Sequence, residues 1–439
     1  MRLRSLVAAA AVSALGISLV ACGGSDSGDS AGGSGGDQTL TYWASNQGTS
    51  LDNDKQVLTP VLEKFTADTG IKVKLEVIGW NDLQTRIQTA TTSGQGPDVV
   101  NIGNTWAASL QATEAFLPFD GAAMDAIGGK DKFVPTALAT GGKEGTDPTS
   151  VPLYGLAYGL YYNKAMFAAA GLQPPKTWEE MVSAAQKLTD PAKKTWGMAL
   201  AAGSYTENVH FAFINGAQNG ADWFDKDGKP TFTSDGNVQG VLRYLDLMQK
   251  DKVANPSNAQ YDNGTKSVND FATKKVAMVI NQNNADSSIV ANGMKAGEYG
   301  VVPFPAPSNA AAPVASHVAG INLSIFKNTK NKDAALKFVN YMTSAETQTT
   351  LGKPFSSLPV LKDAKPVFTT DAAEAATFSD VYNTKSKPLP LVPAEDQFES
   401  TVGKAMNSLF AKIATGGTVS ADEIKTALQT AQDQVAASS

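Results

Sequence analysis

Between Thr39 and Gly103 the chain switches period four times, and this alternation limits its possible folds more than any other feature. "TLTYWA" is rich in β-branched and aromatic residues and reads as a strand. In "DKQVLTPVLEKFTADTG", Val57, Leu58, Val61, Leu62 and Phe65 recur at helical spacing, and Gly70 stands where a C-terminal cap belongs. "IKVKLEVI" alternates, with Ile71, Val73, Leu75 and Val77 on one face and Lys72, Lys74 and Glu76 on the other. "WNDLQTRIQTATTSG" returns to the helix period through Leu83, Ile87 and Ala90, and "GPDVVNI" reads as a strand again. Strand, helix, strand, helix, strand predicts parallel strands joined by right-handed crossovers. In such a sheet ligands bind beyond the carboxyl ends of the strands, on the loops that lead into the helices. Here those loops hold Ser45, Asn46 and Gln47, then Trp80 and Asn81, then Asn104, Thr105 and Trp106. They offer amides, hydroxyls and indoles, with no arginine, histidine or carboxylate among them.

The same mixture continues downstream. Thr177 and Glu180 are spaced as a capping box at the start of a helix, "TWGMALA" reads as a strand, and "DKDG" at 225–228 reads as a hairpin turn. "GNVQGVLRYLDLMQK" is an amphipathic helix, "KVAMVI" and "NLSIF" are strands, and "DAALKFVNYMTSAE" and "GTVSADEIKTALQTAQDQVAA" carry helix signals. The reading is an α/β protein, and its length suits a large core in two lobes. Hydrophobic content of 42% and charged content of 18% are those of an ordinary globular protein.

The N-terminus reads differently. "MRLRSLVAAAAVSALGISLVAC" has two arginines, then an apolar run of roughly 15 residues, too short to span a bilayer. It ends at Cys22, the single cysteine, so no intramolecular disulfide is possible. Leu19, Val20 and Ala21 before Cys22 resemble the bacterial lipobox, in which the cysteine becomes the lipidated N-terminus. Residues 23–36 contain no aliphatic side chain larger than alanine and predict a flexible tether. The formal charge of −6 becomes −8 once Arg2 and Arg4 leave with the leader. No basic patch is visible, so nucleic acid is excluded as an expected partner. Only Arg86 and Arg243 remain as arginines, which favours an uncharged ligand.

"SGQGPDVV" is similar to the "SGxxPDVV" segment of the sugar-binding class of extracellular solute-binding proteins, the receptors of ATP-driven importers related to maltose-binding protein. "YGLAYGLYYNKAMFAAAGLQPPKTWEEMVSAAQKLT" resembles that family's "LPYxxxxLYYNKxLFxxAGLxxPPxTWxEL", and "VNDFATKKVAMVINQNN" its "FxxGKAAMxxxGxW". "YGVVPFPAP" and "VAGINLSIFKNTKNKDAALKFVNYMTSAETQ" resemble its later stretches. The resemblance implies a two-lobed periplasmic-binding-protein-like fold of type II, each lobe a mostly parallel sheet flanked by helices, with the ligand cleft between them. The implied division is a leader at 1–21, the lipidated cysteine and tether at 22–36, lobe 1 at 37–157 and 305–343, and lobe 2 at 158–304 and 344–439. Two departures stand out. Asn284 occupies a position where many relatives carry a stacking tryptophan, and Leu361 replaces an arginine common after the Leu-Pro-Val step.

A sugar presents hydroxyls around a ring with apolar C–H faces, so its site needs bidentate amides or carboxylates together with aromatic platforms. The expected ligand-binding set is Ser45, Asn46, Gln47, Trp80, Asn104, Thr105 and Trp106 from lobe 1. The opposing wall would supply Tyr158, Tyr205, Glu207, Asn208, Trp223, Asn281 and Asn283, with His317 and Phe355 near the crossings. Trp43 and Trp178 read as core residues and His210 as structural. No catalytic residue, metal site or cofactor is expected: "DKDG" lacks a calcium loop's spacing, and no phosphate loop or nucleophile elbow occurs. The resemblance implies a monomeric, non-enzymatic lipoprotein on the outer face of the bacterial cytoplasmic membrane. It would capture a small neutral mono- or oligosaccharide and deliver it to the transmembrane subunits of an ABC permease. The alternatives are a binder of a polyol, glycerol phosphate or peptide, and a secreted carbohydrate-active enzyme.

Overall fold

The computed structural model describes residues 38–437. The leader, Cys22 and the tether, and the expectations resting on them, lie outside that range.

In order, the strands are β1 (Thr39–Ser45), β2 (Lys72–Ile78), β3 (Val99–Gly103), β4 (Val151–Leu156), β5 (Tyr158–Asn163), β6 (Trp196–Ala199), β7 (Val276–Gln282), β8 (Tyr299–Pro303), β9 (Ser316–His317), β10 (Ala319–Ile325) and β11 (Ser386–Lys387). They form a first sheet in the order β2-β1-β3-β10-β4, a second in the order β6-β7-β5-β8, and a short ribbon β11-β9.

The opening alternation builds the first sheet. Ser50 caps the helix Leu51–Thr69 by accepting from Asn53 N, and Gly70 ends it with φ 75°. Leu58, Val61, Leu62 and Phe65 on its inner face are buried, and Phe65 meets Phe338 edge-on at 5.3 Å. The helix returns the chain so that β2 pairs parallel with β1, and a second helix, Trp80–Ser93, does the same for β3. β10 is antiparallel to both β3 and β4, because it enters the sheet from the side toward which β4 leaves. In the second sheet β6 and β7 are parallel, while β5 is antiparallel to β7 and β8. Both sheets are therefore mixed rather than mostly parallel, with parallel pairing confined to strands joined through helices.

This topology collects strand ends. The carboxyl ends of β1 to β4 share one edge with the start of β10; the carboxyl ends of β6, β7 and β8 share an edge with the start of β5. The two edges meet at Ala157, the single residue between β4 and β5. Asn283 ties this crossing down: its Oδ1 accepts from Ala157 N at 2.8 Å, and its Nδ2 donates to Ser356 O at 2.5 Å. Ser316 Oγ accepts from Tyr158 N at 3.0 Å, so neighbouring crossing segments are joined as well. Further on, the helix Ala345–Gly352 packs on the first sheet, with Gln348 donating to Leu153 O at 2.8 Å. The helix Ala372–Thr384 packs on the second sheet, where Phe378 meets Tyr161 at 5.8 Å.

Candidate functional site

Where the two edges face each other lies a cleft of about 510 Å³. Its first wall is made by the loops after β1, β2 and β3, which supply Asn46, Gln47, Trp80, Asn104, Thr105 and Trp106. The first loop is wound around a buried acid. Asp54 accepts from Gln47 N at 3.0 Å, from Gly48 N at 2.9 Å and from Asn46 Nδ2, and it sits in the first turn of its helix, where negative charge is favoured. Trp80 and Trp106 stack with centroids 4.9 Å apart and planes 25° apart. Gly103 permits that approach, since a Cβ there would come within 3.2 Å of the Trp106 ring and 3.4 Å of Trp80. Asn104 Nδ2 donates to Val318 O at 2.7 Å, and Trp106 Nε1 donates to Glu399 Oε2 at 3.3 Å.

The second wall holds Tyr158 at the start of β5, Asn281 and Gln282 at the end of β7, and Tyr205, Thr206, Glu207 and His210 from the helix Tyr205–Gln218. Ser204 caps that helix by accepting from Glu207 N at 3.3 Å. Burial, only partly opposed by the Gly264 N–H, pushes the Glu207 carboxyl up to about 8. Gly264 leaves room here, for a Cβ would stand 2.5 Å from Asn281 Nδ2 and 2.8 Å from Glu207 Oε1. His317, on β9, also lines the cleft; burial, then His210, lowers its pKa well below the ordinary histidine value, so its ring is neutral.

No lysine or arginine lines this cleft among the described residues. Arg86 pairs with Glu76 at 2.5 Å and lies over Trp43 at 4.4 Å. Arg243 is held by the side chains of Asn215, Gln218 and Asn219 and lies over Trp178 at 5.2 Å. The lining suits hydroxyl-rich, uncharged chemistry: amides and carboxyls to bridge hydroxyls, rings to cover C–H faces.

The profile of a family described as bacterial extracellular solute-binding protein matches residues 48–349, a span that takes in all of the cleft lining except Asn46 and Gln47. The chain belongs to that family.

As a solute-binding protein it shares 25% identity over 362 residues with the diacetylchitobiose binding protein DasA of Streptomyces coelicolor, covering 81% of this chain and 82% of that one. With a mannitol-binding protein of Pseudomonas aeruginosa it shares 27% over 335 residues, covering 74% and 72% of the two chains. A solute-binding protein of Thermotoga lettingae TMO solved with α-D-tagatose superposes with a TM-score of 0.79, at 24% identity, over 91% of this chain and all of that one. One from Agrobacterium radiobacter K84, an ABC-transporter protein solved with ribitol, gives 0.72 at 25% identity over 91% and 98%. The fold is the type II periplasmic-binding-protein architecture, and the protein is the solute-binding component of an ABC transporter. These relatives are binding proteins, not enzymes. No described helix is long and apolar enough to cross a membrane.

Of the residues expected at the site, the cleft brings together Asn46, Gln47, Trp80, Asn104, Thr105, Trp106, Tyr158, Tyr205, Glu207, Asn281 and His317. Five others sit outside its lining. Ser45 is buried behind Gln47, where its Oγ accepts from Gln47 Nε2 and from Asn101 Nδ2. Asn208 points to the far side of its helix and donates to Ala202 O and Asn407 Oδ1. Trp223 is packed between Phe232 and Phe398, Asn283 serves the crossing, and Phe355 lies edge-on to Tyr154. Asp262, Asn263, Thr265, Gln282, Asn284 and Ser288 line the cleft without having been expected, as does His210, read as structural. For His210 a signal existed: it follows Glu207 by three residues and shares its helix face.

Proposed function

We propose that the protein is a lipid-anchored receptor that captures a neutral mono- or oligosaccharide outside the cell and hands it to a membrane permease. The observation that carries this reading is a cleft walled by amides, indoles and phenols in which no described lysine or arginine takes part. The solutes after which these relatives are named or with which they were solved, diacetylchitobiose, mannitol, tagatose and ribitol, are all uncharged and rich in hydroxyls. The mannitol and ribitol relatives favour a polyol as the second reading.

The two sheets are the cores of two lobes in this proposal, with the crossing at Ala157 as part of the hinge. A solute touching both walls has differential affinity for the closed arrangement and so shifts the population toward it. The closed rims are what the permease reads, and the protein acts as a monomer without chemical turnover. The anchor is Cys22, supported by the lipobox-like "LVAC" and the apolar run before it.

Calorimetry with tagatose, mannitol, ribitol, diacetylchitobiose, maltose, glycerol phosphate and a short peptide tests the reading. The expected result is saturable binding of a neutral saccharide or polyol, with smaller solution dimensions by X-ray scattering. Binding confined to the peptide or the phosphate ester overturns it, and steady release of reducing ends from a glycan would identify an enzyme instead. Cys22→Ala abolishes lipid labelling in cells if the anchor is correctly assigned.

A further inference from the structure

Beneath the cleft, one carboxylate serves ring side chains from both walls. Glu399 lies on the helix Glu395–Ala414, which packs against the helix Tyr205–Gln218 behind the second wall. Its Oε2 accepts from Trp106 Nε1 at 3.3 Å; its Oε1 stands 3.4 Å from His210 Nε2, within ion-pair range though not in hydrogen-bond geometry, and neither of those two buried atoms has another hydrogen-bond partner among the described residues. His210 in turn meets the Tyr158 hydroxyl through Nδ1 at 3.0 Å, and its ring lies against His317 with centroids 4.0 Å apart. Glu399 is only 2% exposed, so water hardly competes for its oxygens. No described lysine or arginine pairs with it. Glu395, one turn earlier and also buried, has its carboxyl pushed well up by burial and then by Glu399.

A carboxylate only accepts, so both ring nitrogens facing Glu399 should carry hydrogen. In a neutral imidazole one tautomer serves both neighbours of His210: Nε2–H toward Glu399, with Nδ1 accepting the Tyr158 hydroxyl proton. We propose that Glu399 is the positioning residue of the solute cleft, holding the indole of Trp106 from the first wall and the imidazole of His210 from the second in one arrangement and selecting the Nε2–H tautomer of His210. This rests on the cleft being the solute site, and it adds that the orientation of two lining rings is set by an acid that does not itself line it.

Glu399→Gln is the informative substitution because it keeps the volume and changes the donor pattern. The amide oxygen still accepts from Trp106, while the amide NH₂ now faces His210 Nε2 and requires it to accept. His210 therefore switches to Nδ1–H and donates to the Tyr158 oxygen. The chain has two histidines, so long-range imidazole ¹H–¹⁵N spectra contain two spin systems, and His317→Gln assigns them by removing one. The expected result is an Nε2–H His210 in the parent and Nδ1–H in the Gln variant. Tagatose, mannitol and diacetylchitobiose serve as binding probes; whichever the parent binds should bind about tenfold more weakly to Glu399→Gln, and also to Trp106→Phe, which removes the N–H together with part of the indole.

An unchanged histidine spectrum in Glu399→Gln overturns the proposal, as does parent-like affinity in both variants. Should Glu399→Gln fail to fold, the parent spectrum still decides: a His210 that carries its proton on Nδ1 alone overturns the proposal. The tautomer is read without solute, so a switch in a chain that binds no saccharide or polyol supports the assignment of Glu399 while sinking the function proposed above.

Discussion

Glu374 permits a quantitative test of how the second sheet handles buried charge. It lies on the helix that covers β5 and β8 and is 5% exposed. Its Oε2 accepts from Thr369 Oγ1 at 2.8 Å, while Oε1 has no hydrogen-bond partner among the described residues. Burial, then the neighbouring Asp286, pushes the carboxyl up from its ordinary 4.5 to about 7; Lys164, 4.0 Å from Asp371, offsets only a little. The folded chain thus holds this proton more tightly than the unfolded chain. The stabilisation it brings is fully present below about pH 4.5 and is lost as pH rises through about 7. A difference of about 2.5 pH units at about 1.4 kcal/mol each amounts to roughly 3.5 kcal/mol. Glu374→Gln keeps an acceptor for Thr369 and cannot ionise. Parent and variant, taken from Asp37 onward, should unfold alike near pH 4. At pH 8 the variant should be more stable by about 3.5 kcal/mol, or about 4 °C in Tm for a chain of this length. Denaturant titrations between these pH values measure the difference directly. A difference that stays flat with pH, or grows in favour of the parent, refutes the reasoning.

Three further outcomes follow from the same geometry. A solute hydroxyl donates to the charged form of Glu207, so affinity should rise with pH toward about 8 and level off above it; calorimetry from pH 6 to 9 shows the slope, Glu207→Gln removes it, and an affinity that falls with pH contradicts it. Asn283→Ala strips both partners from the crossing and should cost about 2–4 kcal/mol, so an unchanged denaturation midpoint would contradict the role given to that amide. Trp106→Ala should weaken solute binding by at least about tenfold, whereas Trp223→Phe, inside its phenylalanine cluster, should change it less than about threefold; fluorescence or calorimetric titration checks the order, and the reverse order sinks it.

The two walls of the cleft were not equally legible in the sequence. On the first wall a local rule suffices: a strand followed by a helix puts its loop at the sheet's carboxyl edge, so Asn46, Gln47, Trp80, Asn104, Thr105 and Trp106 could be named from periodicity alone. The second wall depends on pairing between distant strands and on helix phase, which a single segment does not reveal. Asn281 and Asn283 are two residues apart, yet one lines the cleft and the other turns to Ala157 and Ser356. Glu207 and His210, three residues apart, share a helix face, while Asn208, about 100° around the axis from Glu207, is consumed by Asn407. Trp106 and Trp223 look alike in sequence, each beside a turn, and what separates them is Phe398, far along the chain. Glu399 lies at the end of this scale. Within "EDQFESTVGKAM" it reads as one more acid on an amphipathic helix, and its meaning comes entirely from an indole 293 residues earlier. Local sequence therefore names the groups that touch a solute far better than the groups that hold them in place. Substitutions behind the cleft, at Glu399 or Asn283, are accordingly where binding should change with no signal in the sequence of either wall.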